Sequence, residues 1–212
     1  MADRERVAGI VLAAGGARRY GQPKQLLRLG GRALVERALD AAQAAALAPV
    51  VLVVGAHAEA VLACVGEREG LLVVHNPDWE TGMSTSLRAG LAALAPDMDA
   101  ALILLADQPG VDAALIRRLL AARAEGRPRL VAPALRGRRG NPVLFDRSLF
   151  PELMAVTGDQ GGRAVVAAHQ DEMVLVEVEG EMALLDIDQP EDYARAVRLT
   201  HALRAHDTKP EE

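Results

Sequence analysis

Apolar residues fall along this chain in short uninterrupted runs, separated by longer stretches with a period near 3.6. Residues 7–13, 50–54, 71–74, 100–105 and 130–135 are apolar on every position and of strand length. A run with no polar alternation predicts a strand covered on both faces. Between them, residues 32–46 place Leu34, Val35, Ala38, Leu39, Ala42 and Ala46 on one side of a helix, and 58–65, 84–94, 111–124 and 191–203 also read as helices. Alternation of this kind predicts an α/β fold, a doubly wound and mostly parallel sheet with right-handed crossovers. The rhythm changes after residue 135. The basic turn Arg136-Gly137-Arg138-Arg139 is followed by an apolar run at 142–145, which predicts a hairpin and hence an antiparallel element in the C-terminal half. Residues 174–178 read as a further strand and 182–185 as another strand end. The chain is expected to form one domain over 1–205, with a polar tail at 206–212.

Composition sharpens this picture in three places. Half of the 212 residues are hydrophobic, yet there are only one Trp, two Tyr and two Phe, so the core must come from Ala, Leu and Val. A net charge of −5 argues against bulk nucleic-acid binding, which needs a basic face. The single cysteine, Cys64, excludes an intrachain disulfide and a zinc–thiolate site, and reads as a small hydrophobe within a helix. Residues 1–6 are charged, unlike a signal peptide, and no apolar run approaches the ~20 residues of a membrane span, so no membrane partner and a cytoplasmic location are expected.

Candidate chemistry collects just after the apolar runs, where open α/β sheets bind ligands. After the first come Leu12-Ala13-Ala14-Gly15-Gly16, the pair Arg18-Arg19, Gly21 and Lys24. Glycine lets backbone amides approach an anion, and guanidinium and ammonium groups add charge-assisted hydrogen bonds to phosphate. This polyphosphate cradle is not a P-loop, because Gln22 rather than Lys follows Gly21, and it is not the dinucleotide fingerprint, because Ala17 stands where the second glycine belongs. After the third run, Gly82, Ser84, Thr85 and Ser86 offer close backbone approach and short hydroxyls; Ser84 also suits a helix cap. Trp79 reads as a packing anchor, with ring stacking as the alternative. Asp107 directly follows a buried run, where a carboxylate needs a reason to be, and suits one protein ligand of Mg²⁺. The partner carboxylate should come from Asp186-Ile187-Asp188, whose two aspartates share a side of an extended segment; either reaches a metal and Asp188 is favoured. Glu191 and Asp192 suit the start of the last helix. Gly161-Gly162-Arg163 could form an anion site ahead of an apolar helix.

At these residues the chain resembles the nucleotidyltransferases with an L-A-A-G-x-S-x-R-M-G-x-x-K signature, matching at Leu12, Ala13, Ala14, Gly15, Arg19, Gly21 and Lys24 and departing at Ala17 and Tyr20. It is most similar to the molybdenum cofactor cytidylyltransferases, and Pro23-Lys24-Gln25 is also similar to the cytidylyltransferases of the methylerythritol phosphate pathway. The likeness spans nearly the whole chain: Leu105-Ala106-Asp107-Gln108-Pro109 matches the family's L-A-D-Q-P in full, and Asp186 to Asp192 resembles its D-I-D-T-P-E-D. Gly140-Asn141-Pro142-Val143 resembles its G-H-P-V with Asn141 for His, and Gly158 to Arg163 resembles its G-D-x-G-A-R with Gly162 for Ala.

The resemblance implies a Rossmann-like nucleotidyltransferase fold and transfer of CMP from CTP to molybdopterin-type molybdenum cofactor, releasing pyrophosphate. It implies that Leu12, Ala13, Ala14, Gly15, Gly16 and Lys24 hold the nucleotide, that Gly82 and Ser86 meet the pyrimidine with Ser84 nearby, and that Arg19 and Lys24 neutralise the phosphates. Mg²⁺ would sit on Asp107 and Asp188, while Asn141, Pro142, Gly161, Gly162 and Arg163 would face the acceptor. A molybdenum hydroxylase apoenzyme or its chaperone would receive the product. Transfer from GTP, transfer to another phosphorylated acceptor, a cofactor carrier without catalysis, and an oxidoreductase of the nicotine blue type remain as alternatives; Ala14 in L-A-A-G argues for CTP over GTP.

Overall fold

The computed structural model of the chain describes residues 5–16 and 20–207, the side chains of 203–207 excepted. Its main sheet contains β1 (Val7–Ala13), β4 (Val50–Val54), β5 (Leu71–His75), β6 (Ala100–Leu105), β7 (Leu130–Leu135), β9 (Val143–Asp146) and β10 (Met173–Glu177), in the spatial order β10-β7-β9-β6-β1-β4-β5. Pairing is parallel from β6 through β1 and β4 to β5, and again between β10 and β7. Along that order β9 runs against its neighbours, pairing antiparallel with both β6 and β7. The antiparallel element expected in the C-terminal half is therefore an inserted strand. The tight hairpin is a separate one, in which Arg136 (φ 53) and Gly137 (φ 75) turn β7 back onto the two-residue β8 (Arg138–Arg139).

Strand alternation divides the core into two layers. Val11 and Ala13 of β1 and Leu52 and Val54 of β4 join α1 (Leu34–Ala44), α2 (Ala58–Val65) and α4 (Ala113–Ala124) on one face. Ile10, Val51 and Val53 join α3 (Met83–Ala92), α5 (Phe150–Ala155) and α6 (Arg163–Ala168) on the other. With few aromatic residues, this core relies on close approach of backbones. Gly90 shows how: a Cβ there would lie 2.5 Å from Cγ2 of Ile10, so α3 seats on β1 only because the position is glycine. A third, smaller cluster packs α7 (Pro190–Asp207) through Ala196 against Leu29, Leu34, Leu185 and Ile187. No helix among the described residues is long and apolar enough to cross a membrane.

Two differences from the sequence reading have a clear local cause. The helix expected over 32–46 begins two residues late, because β3 (Arg32–Ala33) pairs with β2 (Arg28–Leu29) across Gly30 and Gly31, both at positive φ. The run 182–185 is not a strand. Gly180 (φ 83) turns the chain off the sheet, and Glu181–Leu184 forms a 3₁₀ turn whose amides close locally, Ala183 N on Gly180 O at 3.3 Å and Leu185 N on Met182 O at 3.2 Å. That turn packs on Gly110, where a side chain would collide with the Met182 carbonyl. It delivers Asp186 to Asp188 beneath the end of β6. Of the tail expected over 206–212, residues 206 and 207 still belong to the helix Pro190–Asp207, and 208–212 lie outside the described residues.

Candidate active site

The loop leaving β1 is held by its own continuation. Gln25, 5% exposed, donates from Nε2 to the carbonyls of Ala13 (3.2 Å) and Gly15 (3.4 Å), while Ala56 N bonds Ala14 O at 3.2 Å. Trp79 lies across this loop: a Cβ on Gly16 would meet Cζ3 of Trp79 at 2.7 Å, and one on Gly55 would meet Trp79 Cβ at 2.8 Å. The glycines are thus needed to let the indole pack, and Trp79 both braces the loop and lines the cleft beyond it. That cleft has a volume of about 680 Å³, far more than a few waters require, and opens beyond the carboxyl ends of β1 and β6.

Across the cleft, Lys24 Nζ lies 2.9 Å from Oδ2 of Asp107 and 2.8 Å from Oδ1 of Asp188. Burial alone would lower the Lys24 pKa, but the charge of Asp107 and the hydrogen bonds to Asp188 and Asp107 outweigh it and hold the amine above its usual value. The two acidic segments are tied together by Ile187 N donating to Asp107 O at 3.1 Å. Asp192 Oδ2 accepts from the amides of Asp188 (3.0 Å) and Gln189 (2.8 Å), the helix-start role expected of it. Asp186 turns elsewhere: Gln108 Nε2 donates to its Oδ1 at 2.6 Å. Burial, and behind it the charges of Asp107 and Asp188, push the Asp186 carboxyl above the usual range despite the Gln108 bond. Of the two candidates, it is therefore Asp188 that converges with Asp107. Two carboxylate oxygens from different elements, both within 3 Å of one cationic centre, fit a seat for a divalent cation completed by phosphate oxygens and water. No group of three or more His, Cys, Asp or Glu side chains among the described residues is arranged to hold a metal on its own.

The opposite wall is the start of α3. Gly82 sits at φ 122, and a Cβ there would lie 2.5 Å from the backbone of Gly158. Met83 N donates to Asp159 Oδ1 at 3.2 Å, so the 158–160 turn closes the first turn of α3. Buried Asn76 donates to Thr85 Oγ1 (2.8 Å) and Ser86 Oγ (2.9 Å), fixing both hydroxyls. Gly82 and Ser86 line the cleft with Leu12, Ala13, Ala14, Gly15, Gly16, Lys24, Asp107, Asp188 and Arg163. Ser84 departs from its expected place. Gly82 takes the cap position, and Ser84 is 1% exposed with Oγ unpartnered and away from the cleft lining. Arg19 lies outside the described residues.

A second cavity, of about 50 Å³, adjoins the first through Leu12, Met83, Leu105 and Arg163. Asn141, Gly161, Gly162 and Arg163 line it, whereas Pro142 is buried beside it without lining it. Arg139, Gln25 and Asp159 were not singled out from sequence. Gln25 and Asp159 sit inside the quoted motifs, so position in a motif was the available signal; Arg139 was hidden in a turn that reads equally well as a solvated one.

The MobA-like NTP transferase domain matches residues 9–173. The chain is 36% identical to nicotine blue oxidoreductase from Paenarthrobacter nicotinovorans, over 89% of this chain and 95% of that one. It is 31% identical to purine catabolism protein PucB from Bacillus subtilis (87% and 93%), and 24% identical to molybdenum cofactor cytidylyltransferase from Escherichia coli (88% and 93%). Among solved structures it is similar to Rv0371c from Mycobacterium tuberculosis, with a TM-score of 0.81, 31% identity, and coverage of 92% of this chain and 98% of that one. A manganese complex of Rv0371c gives a TM-score of 0.75 at 29% identity, with the same coverage.

Proposed function

The chain belongs to the MobA-like NTP transferase domain family and is a nucleotidyltransferase of that family; from this premise we propose that it transfers CMP from CTP to a molybdopterin-type acceptor, releasing pyrophosphate. The observation that carries the reading is the convergence of Lys24, Asp107 and Asp188 in one cleft with the glycine loop. The loop from Ala13 to Gly16 holds the triphosphate, and Lys24 faces the β- and γ-phosphates, whose neutralisation the resemblance also assigns to Arg19. Gly82 and Ser86 present backbone and a short hydroxyl to the pyrimidine, and Ala14 leaves the L-A-A-G form of the loop that favours CTP. Asp107 and Asp188 would hold Mg²⁺ or Mn²⁺ jointly with phosphate oxygens; the manganese complex of Rv0371c supports a divalent ion. Such an ion, when bound, supplies charge stabilisation at the α-phosphate.

The acceptor phosphate is already ionised at neutral pH, so no side chain need act as nucleophile. An acceptor oxygen forms a bond to the α-phosphorus, the bond to the β-phosphate oxygen breaks, and the electron pair leaves with pyrophosphate. Lys24 neutralises that leaving charge, and in exchange releases the carboxylates it holds in the ligand-free protein. The relative named nicotine blue oxidoreductase, at 36% identity, favours a second reading in which this domain reduces a heterocyclic substrate. Against it stands the absence of a dinucleotide fingerprint in the glycine loop.

Thermal melting with Mg²⁺ and CTP, GTP, ATP or NADPH separates the two. A ligand at 100 times its dissociation constant adds about 2.7 kcal/mol of stability. A metal-dependent shift largest for CTP supports cytidylyl transfer; a shift with NADPH alone overturns it.

A further inference from the structure

The basic turn at 136–139 has no part in the reaction above. Its arginines differ in setting: Arg136 and Arg138 are exposed, whereas Arg139 is half-buried and lines the smaller cavity with Arg163 and Asn141. The rest of that cavity is apolar, from Leu87, Ile103, Val143 and Phe145 among others. Arg139 Nη1 donates to the carbonyl of Gly140 at 3.3 Å, and among the described residues no carboxylate pairs with either guanidinium. Burial and then the charge of Arg163 hold the Arg139 pKa below the guanidinium norm. A guanidinium partly withdrawn from water beside a second, more exposed one on the same space is unfavourable until an anion enters it.

We propose that Arg139 and Arg163 form a clamp for the phosphate of the acceptor, with the apolar cavity taking an edge of its ring. This rests on the nucleotidyl-transfer reading, in which the larger cleft takes the nucleotide. The assignment to the acceptor follows from position. Lys24, Asp107 and Asp188 line the larger cleft, Arg139 lines only the smaller cavity, and Arg163 lines both. A volume of about 50 Å³ has room for a few water-sized groups and so for a ring edge, while the body of the acceptor extends into the cleft. Arg163, reaching both spaces, brings the acceptor phosphate toward the α-phosphorus. Guanidinium forks bind phosphate with two parallel hydrogen bonds, so lysine is an incomplete substitute.

The test is equilibrium binding of hydroxymethylpterin phosphate and of unphosphorylated hydroxymethylpterin, alongside CTP with Mn²⁺, to the intact protein. The wild type is expected to prefer the phosphate ester by about tenfold or more. Arg139→Gln should abolish that preference, Arg139→Lys should keep part of it, and Arg138→Gln on the same turn should keep all of it. CTP affinity should not change in any of them. A wild type without preference for the ester, or an Arg139→Gln protein that retains it, overturns the clamp. So does an Arg139→Gln protein that loses CTP as well, because the pair would then serve the nucleotide. Failure of the underlying reading shows separately, as a wild type that ignores CTP while still distinguishing the two pterins.

Discussion

The two cationic walls of the site are built on opposite principles. On one, Lys24 is neutralised before any ligand arrives, with Asp107 and Asp188 both within 3 Å of its amine. On the other, Arg139 and Arg163 share a partly apolar cavity with no carboxylate paired to either among the described residues. The difference teaches how each wall should respond to an anion. The first must exchange partners, giving up two ion pairs as phosphate and a divalent cation come in, so its gain is selective for the metal-bound triphosphate. The second has no ion pair to give up among the described residues and should bind an anion directly, with little dependence on metal.

Removing Lys24 should break this comparison most severely. Lys24→Ala leaves two carboxylates facing each other and deletes a contact to the leaving group; kcat/KM for nucleotidyl transfer should fall by on the order of 10²-fold, about 3 kcal/mol. Steady-state kinetics with CTP varied would read it, and a loss under threefold would remove Lys24 from the transition state. Gly82→Ala should be next, acting on the fold rather than the charges. A side chain at φ 122 pressed on the Gly158 backbone should destabilise by about 2 kcal/mol, lowering Tm by roughly 4–8 °C for a chain this size. Calorimetry showing no shift would mean that the α3 start and the 158–160 turn are not locked together.

Asn76→Ala tests whether the pyrimidine wall depends on fixed hydroxyls. It removes the donor shared by Thr85 and Ser86, which should cost about 1–3 kcal/mol in stability and raise KM for CTP with kcat little changed. The smallest effect concerns Asp186, and its sign is set by linkage. Its folded pKa is raised, so the native state binds more protons than the unfolded chain, and stability falls as pH rises from the ordinary aspartate pKa of about 3.9 through the folded value. Asp186→Asn should flatten that part of the stability–pH curve; denaturant midpoints measured across this range would show it, and an unchanged slope would assign the slope to other groups.

How much of this was legible beforehand follows from where the hydrogen bonds go. The runs at Val7–Ala13, Val50–Val54, Ala100–Leu105 and Leu130–Leu135 are strands with the expected bounds, because an apolar run on both faces of a parallel sheet has few alternatives. The run 182–185 has the same composition, but it is short and follows Gly180, and nothing in its pattern reveals that its amides close on themselves. Lys24, Asp107 and Asp188, which converge in the cleft, could be singled out because each stands within a recognisable motif. Arg139 was not, because its significance lies in lacking an acidic neighbour, a property of three-dimensional surroundings. Ser84 shows the reverse error: a serine in the right motif position whose side chain is buried with no partner.

Pyrophosphate release tests the central claim most directly. Mixing the protein with CTP, Mg²⁺ and molybdopterin should release pyrophosphate in step with consumption of the acceptor, and Asp107→Asn should abolish it. Oxidation of NADPH by the same protein, with CTP left intact, would contradict the account.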